Sequence, residues 1–141
     1  MVKRLLAFAA AAACMAIAAA ALAEGNLASR ANRLEKLVIA GDLSFSQKEY
    51  RLETGKYYFW TIESLGGEEF RIESPQLFRN SWIGQVSING IEVHTLGAIY
   101  GIEFDDPGTA IVAFVPIRPG EYPYYAAGFE NKGMIGKFIV K

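Results

Sequence analysis

From residue 37 onward, apolar and polar positions alternate with a period of two rather than 3.6. Tyr50 and Leu52 flank a charged Arg51, and Glu53-Thr54-Gly55 follows as a turn. Residues 57–62, YYFWTI, are aromatic and β-branched, the side chains that fit a pleated surface. Both of their alternating sets, Tyr57/Phe59 and Tyr58/Trp60/Ile62, are apolar. Either the strand is buried on both sides, or one set makes an exposed aromatic patch. Gly66-Gly67 turns the chain into an alternating EFRI at 69–72, whereas residues 74–82, SPQLFRNSW, break the period and read as a connection with a helical turn. Further strands are predicted over 85–88, 91–93, 99–104, 110–115, 121–125 and 137–140. Between them lie Asn89-Gly90, a strong hairpin signal, Asp105-Asp106-Pro107-Gly108, and Arg118-Pro119-Gly120. Short strands with regular turn signals and no long amphipathic helix predict an all-β sandwich or barrel, one domain over 37–141.

The first 36 residues follow another pattern. Lys3 and Arg4 precede an uncharged, alanine-rich run from 5 to 22, and Ala21-Leu22-Ala23 gives the small-x-small cleavage pattern before Glu24. Residues 1–23 are therefore expected to be a secretory signal peptide, and 24–36, EGNLASRANRLEK, a polar leader with a loose helical turn. Cleavage at Cys14 as a lipoprotein is the weaker reading, because three alanines precede it where a large aliphatic residue is expected. Export implies a periplasmic or secreted protein with no membrane span after processing. It also removes Cys14, the one cysteine, leaving neither thiol nor disulfide in an oxidising compartment. Processing takes away two of the 14 basic groups and none of the 15 acids, so the mature charge is −3. A mildly acidic chain is poorly suited to a nucleic-acid partner, which needs a basic face.

Candidate chemistry is sparse. His94, the only histidine, shares a strand face with Glu92, and one imidazole beside one carboxylate reads as a solvated face before it reads as a weak metal site. Asp105-Asp106 falls short of the six to eight oxygens calcium takes and is explained as a turn. Glu68-Glu69 has the same status. No nucleophile–base spacing, phosphate loop or zinc motif occurs, so no enzyme activity is expected. The aromatic side chains, among them Trp60, Trp82, Tyr57, Tyr122 and Phe129, exceed what one small core needs and point to a protein-binding surface.

Three stretches together resemble the cupredoxin family of Greek-key sandwiches, which usually carry a type 1 copper. FSQKEYRLETGKYYFWTIES (45–64) is similar to the family's opening strands. GGEEFRIESPQLF (66–78) is similar to the segment bearing the first histidine ligand, and FVPIRPGEYPYYAAGFENKGMIGKFIV (114–140) to the closing hairpin with three ligands in its loop. The resemblance implies that Glu68 stands at the first histidine, Ala126 at the cysteine, Phe129 at the second histidine and Met134 at the axial methionine. Only the methionine is kept. The implied cofactor is therefore none, with copper as the alternative, held by Glu68, His94 or Met134 in a non-standard site. In the family the ligand-loop end is also an apolar docking face, which makes Phe129 and Tyr125 the expected partner surface; Phe129 is either an outward anchor or an inward plug. The expected role is binding or assembly beside a redox or metal-handling system, the alternative an electron-transfer protein.

Overall fold

A computed structural model describes residues 30–94 and 99–141; the signal-peptide reading and the first part of the leader lie outside them. Among the described residues, twelve strands form two sheets. The first sheet is built from β1 (Asn32–Arg33), β2 (Leu37–Ala40), β3 (Ser44–Phe45), β5 (Tyr58–Ser64), β7 (Ser81–Ile88), β8 (Ile91–Val93) and β10 (Gly108–Pro116), in the order β3-β2-β5-β10-β7-β8 with β1 also on β5. The second holds β4 (Glu49–Leu52), β6 (Phe70–Glu73), β9 (Gly101–Phe104), β11 (Gly120–Ala126) and β12 (Ile135–Val140), in the order β4-β12-β11-β6-β9. The chain passes repeatedly from one sheet to the other, and both sheets are mixed: β2 runs parallel to β5, and β4 parallel to β12. The expected all-β sandwich is what forms. Residues 32–33, read from sequence as leader, instead pair with β5 opposite Tyr58 and Phe59.

The core lies between the sheets and is aromatic. Trp60 is at its centre, with Phe138 at 5.0 Å, Tyr124 at 5.5 Å and Tyr50 at 6.3 Å between ring centroids, mostly edge-on or tilted. Such arrangements set the positive ring edge against the negative face and add to the burial energy. The two phenols packed on Trp60 have partners: Tyr50 donates to the Glu35 carbonyl at 2.9 Å and Tyr124 to the Gln47 carbonyl at 2.8 Å. Burial pushes the Tyr50 phenol up to about 12 and raises Tyr124 as well. Gly136 leaves the space in which the Tyr124 ring lies against β12; a Cβ there would overlap the ring.

The outer face of the first sheet resolves the alternative left open by residues 57–62. Tyr58, Trp60 and Ile62 point into the core, whereas Tyr57 and Phe59 stand half-buried on the outside with Trp82. Tyr57 meets Phe59 at 5.6 Å and Trp82 at 6.2 Å, and the Arg33 guanidinium lies 5.4 Å from the Phe59 ring centre. This shelf lies over β10, where Ala113 and Val115 are almost fully covered although they face outward. Gly84 makes the shelf possible, since a Cβ there would sit 2.7 Å from the Trp82 ring. Beside it the β7–β10 register shifts between Ala113 and Phe114, a β-bulge that lets residues on either side keep their faces.

Candidate functional site

The loop from β11 to β12 is closed by backbone bonds among the positions singled out from the sequence. The Ala126 N–H donates to the Met134 carbonyl at 3.0 Å, and the Phe129 N–H to the Ala126 carbonyl at 2.9 Å. The Met134 N–H returns to the Phe129 carbonyl at 3.3 Å. A 3₁₀ turn, Glu130–Lys132, ends at Gly133, whose φ of 84° is the left-handed conformation that suits glycine. Lys48 donates to the Gly133 carbonyl and ties the loop to the β3–β4 connection. Ala126 and Met134 are fully buried. Phe129 is half-buried, turned toward the core with its ring 5.4 Å from that of Phe70.

Glu68 sits at the same end of the second sheet, because β6 pairs with β11 at Ile72–Ala126 and the Ala127 N–H bonds to the Arg71 carbonyl at 2.9 Å. It is nevertheless exposed. With Glu69, Asp105 and Asp106 it lines a polar depression, while the three loop positions face the interior. Tyr125 points out of the sheet and donates to Glu73 at 3.1 Å; Glu73 also pairs with Arg71 at 2.7 Å. Burial, and then the hydrogen bond to this carboxylate, raise the Tyr125 phenol above its ordinary range. His94 follows β8 at the edge of the other sheet, with its Nε2 3.9 Å from Glu92 and most of its side chain in solvent. The structure thus brings Ala126, Phe129 and Met134 together, sets Glu68 on the surface nearby, and leaves His94 apart.

Type 1 copper takes two imidazoles and a thiolate in a trigonal set, with a distant thioether. The four positions supply a thioether, a surface carboxylate, a methyl group and a phenyl ring, and do not fit that ion. Among the described residues, no group of three or more His, Cys, Asp or Glu is placed to hold a metal. No helix of the described residues is long and apolar enough to cross a membrane.

The two-sheet arrangement defines a class, and solved structures say which. Copper nitrite reductase from Nitrosomonas europaea matches over 80% of this chain and 50% of its own, with a TM-score of 0.62 and 10% identity. The multicopper oxidase from Campylobacter jejuni matches over 80% of this chain and 31% of its own, at 0.55 and 9%. Auracyanin from Roseiflexus castenholzii matches over 75% and 94%, at 0.51 and 15%. The chain has the cupredoxin fold, and it spans about a third to a half of the length of the oxidase and the reductase. No family model matches the sequence, and a search of the curated proteins finds no match.

These neighbours correct one expectation. The sequence was read as that of a non-enzyme because no linear catalytic motif occurs, yet the structures that share its fold are mostly copper enzymes. A fold can host a site built from residues distant in sequence, so a scan for contiguous motifs does not test for one.

Proposed function

We propose that the chain is an exported cupredoxin-fold protein that acts by binding another protein, with core side chains occupying the place of a type 1 copper site. The observation that carries this reading is Phe129: at the position the family resemblance gives to a histidine ligand, it packs on Phe70 as a hydrophobic side chain does. Ala126 beside it is buried among apolar neighbours. The aromatic shelf of Tyr57, Phe59 and Trp82 supports the binding role, because half-exposed Trp and Tyr side chains are typical anchors of protein interfaces. Copper content decides first. Protein purified without chelators should carry well under one copper per chain and show no visible band after dialysis with Cu(II). A photo-crosslinker replacing Gln85, next to the shelf, should then capture the partner in cells, and Trp82→Ala should abolish that capture. Stoichiometric copper that survives a competing chelator would sink the proposal.

The fold shared with copper enzymes and with auracyanin favours a second reading, a copper-dependent redox role through a non-standard site that uses Glu68, His94 or Met134. The same metal analysis separates the two. Retained copper whose signal is lost in His94→Ala would establish the second reading.

A further inference from the structure

Strand β8 is the last strand of the first sheet and, among the described residues, pairs only with β7. Its hairpin turns through Asn89 and Gly90, both at positive φ, the signature of a two-residue type I′ loop. In such a hairpin the residues flanking the turn exchange hydrogen bonds, so Ile91 and Val93 direct their N–H and C=O groups toward β7. Glu92 and His94 direct theirs outward.

The side chains divide in the same way. Ile91 and Val93 lie opposite Ile88 and Val86 and share their face, the one that continues the inner surface of the sandwich. The second sheet does not reach this far: Ile91 is 71% exposed, Val93 43% and Ile88 42%. A cleft lined by Ile88, Ile102, Phe104 and the 105–108 turn opens between the sheets at this side. Natural edge strands are blunted by shortness, charge, Pro or a bulge. β8 is short and carries Glu92, but it has no Lys, Pro or bulge; among the described residues, the outward backbone groups of Glu92 and His94 meet no partner strand, and the strand offers an apolar face.

We propose that β8 pairs antiparallel with β8 of a second copy, about a two-fold axis at Val93. Symmetry leaves two registers within reach of this short segment. An axis at Glu92 would put two like carboxylates directly opposite each other, which disfavours it. An axis at Val93 sets Glu92 of each copy opposite His94 of the other and joins the outward-directed backbone groups of both residues. It also brings the two Val93 side chains together on the apolar face, with Ile91 and Ile88 extending it. Avoidance of the like-charge pair and the apolar stripe select the same register. The interface is small, so the dimer is expected to dissociate on dilution.

Sedimentation equilibrium of the purified protein over a range of concentrations tests this. The parent should show a monomer–dimer equilibrium. His94→Glu alone should weaken it about tenfold, because the two-fold axis doubles the like-charge pair with Glu92, and Glu92→Lys alone should not strengthen it. The double variant Glu92→Lys/His94→Glu restores opposite charges across the axis and should recover the parent's affinity. Val93→Lys, on an exposed strand where folding is little affected, should leave monomer. A parent that stays monomeric up to about 1 mM, where even weak association registers, overturns the proposal. So does a dimer indifferent to all four variants, or one that the double variant fails to rescue.

Discussion

The two faces of β5 carry the same kinds of side chain and meet different fates. Trp60, on the inner face, is 1% exposed and touches three rings of the facing sheet, Tyr50, Tyr124 and Phe138; Trp82, on the outer shelf fed by the other face, is 49% exposed and, among the described residues, rests on the ring of Tyr57 alone. Composition cannot distinguish them. What does is the presence of a second sheet on one side and, among the described residues, no covering layer on the other, so that the inner rings hold the fold together while the outer ones remain available for contact. Phe129 falls between, its ring against Phe70 and its edge in solvent.

Truncations should rank these positions. Trp60→Ala removes the hub of the core and should cost about 3–5 kcal/mol, the usual range for a large aromatic core deletion, read from the urea midpoint. Phe129→Ala should cost about 2–3 kcal/mol, less than a full core truncation because its ring is partly solvated. An unmoved midpoint would mean that Phe129 does not plug the loop and that it is an outward anchor instead.

The core phenols sharpen the contrast through pH. The unfolded chain ionises its tyrosines near pH 10, while the folded chain keeps Tyr50 protonated to about 12 and Tyr124 beyond its ordinary range. Between these values the unfolded state has given up protons that the folded state retains, so rising pH favours unfolding. Stability is complete below about pH 10 and should fall by about 1.4 kcal/mol per pH unit for each phenol above it. Tyr50→Phe should remove its share of that slope; an unchanged slope would contradict the burial argument. Smallest of all, Trp82→Ala should change stability by less than about 1 kcal/mol, as surface substitutions do, while partner capture is lost. A large loss of stability would place the shelf in the core's account and leave it no free binding face.

Much of the sandwich was legible because strand periodicity and turn chemistry act locally. Asn89-Gly90 lies in a tight hairpin, and the 57–62 run became β5 within a residue or two. Residues 81–84 were missed as strand, since Gly84 and the bulge opposite Ala113 interrupt the alternation that would have revealed them. The pairing of residues 32–33 was hidden for a related reason: it depends on the backbone of β5 and not on side-chain pattern. Which face of residues 57–62 is buried was not readable at all, because that depends on where the second sheet lands. The resemblance implies ligand positions for Ala126, Phe129 and Met134, and the structure shows these three residues closing on one another through the backbone. That Glu68 faces solvent follows from the Gly66-Gly67 turn, which carries the chain outside before Phe70 re-enters the core.

The central claim is that core side chains occupy ligand positions on a cupredoxin fold, and rebuilding the site tests it most directly. Glu68→His, Ala126→Cys and Phe129→His, with Met134 kept, restore the donor set that type 1 copper takes. The backbone between positions 126 and 134 already closes as one loop, so the triple variant should develop an intense visible absorption with Cu(II). Returning position 126 to alanine in that background should abolish the band. A folded triple variant whose spectrum with Cu(II) matches that of the parent would contradict the ligand register, and with it the claim that this core fills a copper site.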